Sequence, residues 1–239
     1  METNNMSDFW KSTHATDTYF DCGSDYAKDI NSRYGKFKHP DCEECLISMG
    51  LKDGLWGAPH NSNGCFRNIE TEGHNWTILE IGCGYGGFGS MLAPFVNQYD
   101  GVDISSHIID KGNEAISYCG INNMNLMCVP NSDLSKLSDN KYDMIFSTAV
   151  FIHTDRSVTE HYLRETKRLL KDTGVFIHHM NVTTESPVDV DYNRIYMVDD
   201  CERMFSEAGL DVVYKHDGVD FKTNPTAFMR YSCGVLKEG

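Results

Sequence analysis

The chain has 239 residues, of which 40% are hydrophobic and 11% aromatic, as is usual for a globular protein with a sizeable core. Its 21 basic and 35 acidic residues give a formal net charge of −14, which disfavours nucleic acid as a substrate because phosphate backbones are also negative. No apolar run has the length of a membrane span, and no signal-peptide pattern opens the sequence. The nine cysteines, an odd number, indicate reduced thiols. These features predict a cytoplasmic protein that binds neither nucleic acid nor membrane.

The pattern divides the chain into an N-terminal helical cap at residues 1–73 and a larger domain at residues 74–239. The cap has aromatic residues without the alternation of a strand, which indicates short helices that dock on the larger domain. Residues 50–64 are rich in glycine and asparagine and predict a loop. Three aromatic residues of the cap are candidates for ligand contact, although we favour packing for them: Trp10, Tyr19 and Tyr26.

Four residues of the cap are possible zinc ligands: His39, Cys42, Cys45 and Cys65. The two central cysteines also share one face of a predicted helix with Leu46 and Met49, which is a packing pattern. A zinc finger would normally supply a second close-spaced pair of ligands. We therefore predict packing for these cysteines and no bound metal.

An apolar strand at residues 77–81 runs directly into a glycine-rich turn. Glycines at 82, 84 and 86 permit positive φ angles and a close approach of the backbone to a ligand, with the amides expected to face it. The spacing of Gly82, Gly84 and Gly87 also satisfies the GxGxxG pattern of a dinucleotide fold. The turn therefore predicts a nucleotide-like ligand of either kind.

Two carboxylates flank this turn. Glu80 lies two residues before the first glycine, where a carboxylate suits a cationic ligand, whereas a dinucleotide site is arranged for a pyrophosphate. Asp103 ends the next predicted strand, at the position that binds ribose hydroxyls. We read Glu80 as favouring a cation and Asp103 as indicating an adenosine moiety.

Strand and helix patterns alternate through the rest of the chain. An apolar stripe over residues 158–170 predicts a helix, and Ser157 and Glu160 at its start have the form of a capping box. Near the end, a helix stopped by Gly209 precedes two strands. The predicted strands after the first lie at residues 99–103, 126–129, 141–147, 174–177, 210–214 and 227–236. Alternation with short connections predicts a doubly wound parallel sheet.

Taken in chain order, these segments resemble the motifs of class I S-adenosylmethionine-dependent methyltransferases. Glu80 and the following glycines match the acidic-x-Gly-x-Gly-x-Gly motif, and residues 142–145 match the Tyr-Asp-apolar-apolar motif of the fourth strand. Asp172 and Thr173 replace the usual Pro-Gly of the turn before the fifth strand. The resemblance covers residues 77–236 and implies a Rossmann-like, doubly wound, mostly parallel sheet of seven strands with a reversed terminal strand.

The same resemblance implies S-adenosylmethionine as cofactor. It places the methionine portion at the glycine loop, the ribose at Asp103 and the adenine amine near Asp133. The implied cofactor-binding residues are Glu80, Gly82, Cys83, Gly84, Gly86, Asp103, Ile104, Ser132, Asp133, Leu134 and Ser147.

Polar groups for the methyl acceptor are expected at the carboxyl ends of the fourth and fifth strands, where ligands lie in open α/β sheets. His153 follows the fourth strand and is our candidate for a catalytic base. Of the adjacent His178 and His179, strand alternation lets one face the site. The predicted acceptor-binding residues are His153, His178, His179, Tyr192, Arg194 and Tyr19.

The leading interpretation is a methyltransferase with a small-molecule acceptor. The alternatives are a NAD-dependent oxidoreductase, a methyltransferase acting on a protein side chain and a non-catalytic module of the same fold. Glu80 and the reversed strand count against the oxidoreductase, and the intact glycine loop with Asp103 counts against the non-catalytic module.

Overall fold

A computed structural model describes residues 25–34, 69, 73–184, 194–221 and 224–236, with the backbone alone for residues 33 and 214–236. Several predicted positions lie outside these ranges: the zinc candidates His39, Cys42, Cys45 and Cys65, the cap residues Trp10 and Tyr19, and Tyr192. Within the described ranges, no cluster of three or more potential metal ligands occurs. No helix in this part of the chain is long and apolar enough to cross a membrane.

The described strands form one sheet in the order β3-β2-β1-β4-β5-β8-β7, with β6 paired to β5. Their bounds are Thr77–Ile81 (β1), Gln98–Asp103 (β2), Met124–Cys128 (β3), Tyr142–Ser147 (β4), Leu170–Thr183 (β5), Ile195–Met197 (β6), Leu210–Phe221 (β7) and Asn224–Leu236 (β8). The first six strands pair in parallel, so the predicted α/β class with a parallel sheet is confirmed. Strand β8 runs antiparallel to β5 and to β7.

The predicted count of seven strands missed β6, which has only three residues and no alternation to reveal it. Residues 181–183 of β5 pair with β6 on one side and with β8 on the other. Earlier residues of β5 pair with β4 and β8 in the same way. Strand β6 therefore continues the side of β5 that β4 occupies, and it lies beyond the carboxyl end of β4.

Five described helices cover the two faces of the sheet: Tyr26–Arg33 (α1), Gly89–Leu92 (α2), Ser106–Tyr118 (α3), Arg156–Leu169 (α4) and Val198–Glu207 (α5). Strand β1 shows how the faces are filled. Ile78 packs in the cluster that includes residues of α1, α2 and α3, whereas Leu79 and Ile81 pack in the cluster with α4 and α5. This alternation puts the side chain of Glu80 on the first face.

Three local predictions can be compared with the helices. Gly209, with φ +77°, follows the C-terminal cap Ala208 of α5 and ends the helix, as expected. The capping box is wrong, because α4 begins at Arg156 and Glu160 accepts a hydrogen bond from the Arg156 Nε at 2.9 Å instead. Tyr26 is buried and its ring lies 5.0 Å from that of Tyr85, so it packs on the domain as we favoured.

The amino-terminal edge of the sheet is tied together by Asp100, whose side chain is 2% exposed. Its carboxylate accepts from the Lys141 Nζ at 2.5 Å and from the Tyr142 hydroxyl at 2.9 Å. These contacts join β2 to β4 across β1. The Gln98 Nε2 also donates to the carboxylate at 3.2 Å, so three donors offset the cost of burying it.

Replacing Asp100 by Ala should lower the free energy of unfolding by about 1–3 kcal/mol, because the Tyr142 hydroxyl then loses a buried acceptor. Lys141→Met is the matched control, for which we expect a smaller loss: the ammonium is 38% exposed, and Asp100 keeps the donors of Tyr142 and Gln98. Urea unfolding followed by circular dichroism measures both losses. A loss for Lys141→Met equal to that for Asp100→Ala would contradict this account.

Candidate active site

The carboxyl ends of the parallel strands meet at one edge of the sheet, and the predicted site residues follow them in spatial order. Ser132 and Asp133 follow β3, Asp103 ends β2, the glycine loop follows β1 and Ser147 ends β4. The strand order changes direction between β1 and β4, where open α/β sheets bind ligands. The topology thus brings together residues that are distant in sequence.

The glycine loop turns through positive φ angles of 77°, 54° and 83° at Gly82, Gly84 and Gly86. Its amides are paired within the protein. Those of residues 82 and 83 donate to the Val102 carbonyl at 2.8 and 3.0 Å, and that of residue 86 donates to the Cys83 carbonyl at 2.9 Å. This differs from the sequence prediction that these amides face a ligand. The loop crosses the end of β2, where the Val102 carbonyl accepts from two of these amides, and Cys83 of the loop itself accepts from the third.

Asp103 completes this arrangement. Its carboxylate accepts from the Gly84 amide at 3.1 Å through Oδ2 and from the Ser105 amide at 3.0 Å through Oδ1. The residue is 7% exposed. A carboxylate has about four acceptor positions, so two bonds to backbone amides leave capacity for hydroxyl donors. Asp103 therefore holds the loop and is also placed to bind a ligand.

Glu80 is buried beneath the glycine loop and accepts a hydrogen bond from the Tyr99 hydroxyl. Burial, opposed by the hydrogen bond from Tyr99 and aided by the charge of Asp103, raises the pKa of Glu80 to about 8. Burial also raises the pKa of the Cys83 thiol well above its ordinary value. At neutral pH, the Glu80 side chain is consequently a neutral acid until a cation approaches it.

The segment after β4 packs directly against the glycine loop. The Ser147 hydroxyl donates to the Ile81 carbonyl at 3.0 Å. A Cβ added to Gly82 would lie 2.1 Å from the Val150 Cγ2. Glycine is therefore required at 82 both for its φ angle and for this close approach. Ser147, predicted to bind the cofactor, has its hydroxyl engaged with β1.

Beyond β3, the structure separates the predicted residues. Asp133 is exposed, and hydrogen bonds from Ser135 hold its pKa below the ordinary value. Ser132 is half-buried with φ 62°, and Ile104, after β2, is also half-buried. Leu134 is 1% exposed and its side chain packs in the core, so its predicted contact with the cofactor does not involve that side chain.

His153, beyond the end of β4, and His179, within β5, lie close enough for their charges to interact. The Nδ1 of His179 accepts from the Ala149 amide at 3.2 Å. Burial lowers the pKa of His179 to about 4, with a further contribution from His153 nearby. His178 faces the other side of the sheet, where its ring is stacked on Phe176 and lies 4.5 Å from that of Phe205.

Arg194 ties β6 to the segment after β4. Its amide donates to the Ile152 carbonyl at 2.6 Å, and its Nη2 donates to the Asp155 Oδ1 at 2.5 Å. A cavity of about 410 Å³ lies beside this pair, with Arg156 and Asp200 in its lining. The predicted contact of Arg194 with the methyl acceptor stays a prediction.

Sequence reasoning missed Tyr99, Ala149 and Val150 as residues of this edge. Tyr99 meets Glu80 only through the pairing of β2 with β1. The φ of Ala149 is 57°, which an alanine gives no sign of in sequence. No local motif reports contacts of this kind, because each depends on a partner elsewhere in the chain.

Comparisons with known proteins agree with this geometry. Residues 78–174 match the family model described as a methyltransferase domain. The crystal structure of the [4+2]-cyclase SpnF superposes with a TM-score of 0.61. The match has 16% sequence identity and covers 72% of this chain and 79% of that chain. Geranyl diphosphate C-methyltransferase from Streptomyces coelicolor A3(2), in complex with Mg²⁺, geranyl diphosphate and S-adenosyl-L-homocysteine, is 14% identical with a TM-score of 0.60, over 86% and 88%.

A SAM-dependent methyltransferase from Aquifex aeolicus is 19% identical with a TM-score of 0.55, over 88% of this chain and 99% of that chain. At these identities the solved structures show the fold, and the family match covers the strands that carry the glycine loop, Asp103 and Ser147. The chain therefore contains a methyltransferase domain and has the fold of the class I S-adenosylmethionine-dependent methyltransferases.

Proposed function

We propose that this enzyme transfers a methyl group from S-adenosylmethionine to a small-molecule acceptor bound at the carboxyl ends of β4 and β5. The observation that carries the proposal is the internal pairing of the loop amides at residues 82, 83, 84 and 86. A dinucleotide site uses such amides as donors to a pyrophosphate. A loop with these donors already engaged suits a cofactor without phosphate, which counts against the NAD-dependent alternative.

The residues at this edge fit the cofactor portion by portion. The glycine loop is the proposed contact of the methionine portion, and Glu80 beneath it complements a cation. Asp103 has acceptor capacity for the ribose hydroxyls. Asp133 presents an exposed carboxylate to the adenine amine at the end of β3, next to β2. These roles follow the strand order across the sheet.

The cofactor supplies the methyl group and departs as a thioether. The task of the protein is to hold the acceptor in line with that methyl, and proximity and orientation contribute roughly 7–11 kcal/mol to such reactions. His153, half-buried after β4, takes the proton of an acceptor hydroxyl or ammonium. We leave His178 out of the acceptor site because it is 0% exposed among aromatic rings.

Two observations support a small-molecule acceptor: the net charge of the chain, and the acceptor named for one enzyme of the same fold. The net charge of −14 disfavours nucleic acid. The Streptomyces coelicolor enzyme of the same fold is named for a small acceptor, geranyl diphosphate. The cyclase SpnF also shares the fold, so methyl transfer has to be measured directly. A protein side chain as acceptor is an outcome that the same measurement detects.

Asp103→Asn should weaken S-adenosylmethionine by about tenfold to a hundredfold, because hydrogen bonds to a charged group are worth roughly 1.5–3 kcal/mol. Isothermal calorimetry with S-adenosylmethionine, S-adenosylhomocysteine and NAD measures this on wild type and variant. Asp110→Asn, an exposed position on α3, is the charge-matched control. Tighter binding of NAD than of S-adenosylmethionine, or unchanged affinity in Asp103→Asn, would reject the cofactor site.

Glu80→Gln should stabilise the protein without cofactor at alkaline pH and weaken the cofactor. With a pKa raised to about 8 in the folded protein, wild type loses stability as pH rises from 4.5 towards 8, since unfolding lets Glu80 ionise. Glutamine cannot ionise, so we expect a gain of about 4 kcal/mol at pH 8 and none near pH 4.5. Urea unfolding at both pH values, with Glu114→Gln as exposed control, measures it. A variant less stable than wild type at pH 8 would mean that Glu80 is ionised in the folded protein.

His153→Ala should leave cofactor affinity and melting temperature nearly unchanged while turnover falls at least about tenfold, since general-base catalysis contributes roughly 10²–10⁴-fold. The acceptor is found by transfer of labelled methyl to panels of alcohols, amines, thiols and carboxylic acids, with protein extract as a separate arm. His74→Ala, an exposed histidine before β1, is the control. Full turnover in a stable His153→Ala enzyme would remove His153 from the mechanism.

A further inference from the structure

A short series of contacts connects β5 to the glycine loop through the segment that follows β4. The Nδ1 of His179, on β5, accepts a hydrogen bond from the Ala149 amide at 3.2 Å. The next residue, Val150, lies so close to Gly82 that a Cβ there would be 2.1 Å from its Cγ2. The His179 side chain of β5 is therefore linked to the glycine loop after β1 through the consecutive residues Ala149 and Val150.

Ala149 has a backbone conformation that an L residue adopts only when its surroundings impose it. Its φ is 57°, in the left-handed region, where the Cβ of an alanine crowds the backbone. Such residues persist where neighbouring contacts over-determine them, and they cluster at functional sites. Here two described hydrogen bonds hold the turn: the Ala149 amide to His179, and the His153 amide to the Val150 carbonyl at 2.8 Å.

The chemistry of the bond defines what His179 must be. A backbone amide donates, so the Nδ1 of His179 has to carry a lone pair, which requires a neutral ring with its proton on Nε2. The residue is 3% exposed and lies near His153, and both circumstances disfavour a charged ring. His179 is thereby suited to accept a fixed hydrogen bond and poorly suited to carry a proton during turnover.

We propose that His179 is a positioning residue, whose Nδ1 holds Ala149 in the left-handed conformation and so keeps Val150 against Gly82 as one wall of the cofactor site. The inference rests on the proposed function in one respect, namely that the molecule bound beside this wall is S-adenosylmethionine. The role differs from the direct acceptor contact that the sequence suggested for His179. Without the bond, Ala149 relaxes to an ordinary conformation, and Val150 leaves Gly82.

Three single variants and one double variant separate positioning from bulk packing. His179→Leu fills the space but cannot accept a hydrogen bond. His179→Asn keeps an acceptor oxygen close to the position of Nδ1. Ala149→Gly removes the cost of the left-handed conformation. The turn after β4 can then keep its shape without the hydrogen bond to His179. The double variant Ala149→Gly with His179→Leu tests whether relief of strain rescues the loss of the acceptor.

The first measurement is S-adenosylhomocysteine affinity by calorimetry. We expect His179→Leu to weaken it about tenfold or more, with His179→Asn and Ala149→Gly within about threefold of wild type, and the double variant recovering most of the loss. A His179→Leu protein with wild-type affinity overturns the proposal. So does an equal loss in His179→Leu and His179→Asn without rescue by Ala149→Gly, because that pattern reports packing.

The second measurement is hydrogen exchange at the Ala149 amide, which needs no cofactor. Protection in wild type and His179→Asn, with loss in His179→Leu, supports positioning even if S-adenosylhomocysteine does not bind, in which case the proposed function fails by itself. Equal protection of this amide in wild type and His179→Leu shows that His179 does not hold it and overturns the proposal. Melting temperatures identify any variant that fails to fold, and His179→Asn then carries the test.

Discussion

The hydrogen bonds between the glycine loop and the end of β2 are the constraint on which the rest of this site depends. The Val102 carbonyl takes the amides of residues 82 and 83, and the Asp103 carboxylate takes that of Gly84. Each positive φ angle of the loop can be maintained because these acceptors fix the loop over β2. One carboxylate therefore both shapes the loop and faces the place where an adenosine ribose is expected.

This constraint also selects among ligands. The loop amides that are hydrogen-bonded within the protein are not available as donors to a phosphate. The charged groups that can attract a ligand at this loop are therefore carboxyl groups. Glu80 lies buried beneath the loop as an acid whose pKa is raised by burial, and a bound cation would favour its ionised form. NAD-binding and S-adenosylmethionine-binding proteins share this glycine pattern. The contacts outside the pattern are what favour one ligand over the other.

The segment after β4 is held from three directions. Ser147 bonds to β1, Ala149 bonds to β5, and the Ile152 carbonyl accepts from the first residue before β6. Strand β6 lies beyond the end of β4 and closes this side of the site. The segment proposed to border the acceptor is therefore fixed by pairing between strands, and His153 lies on a segment whose shape its neighbours determine.

The sequence by itself determined the order of strands and helices, the glycine loop, the carboxylates at 80 and 103, and the stop at Gly209, since each is a local pattern of apolar spacing or backbone need. Only the tertiary structure decided which of His178 and His179 faces the site, because that depends on which helices cover each face of β5. It also decided that the loop amides are engaged, that β6 exists and that Val150 requires glycine at 82. These features arise from partners brought together by folding, and residues distant in sequence leave no local signal of their contact.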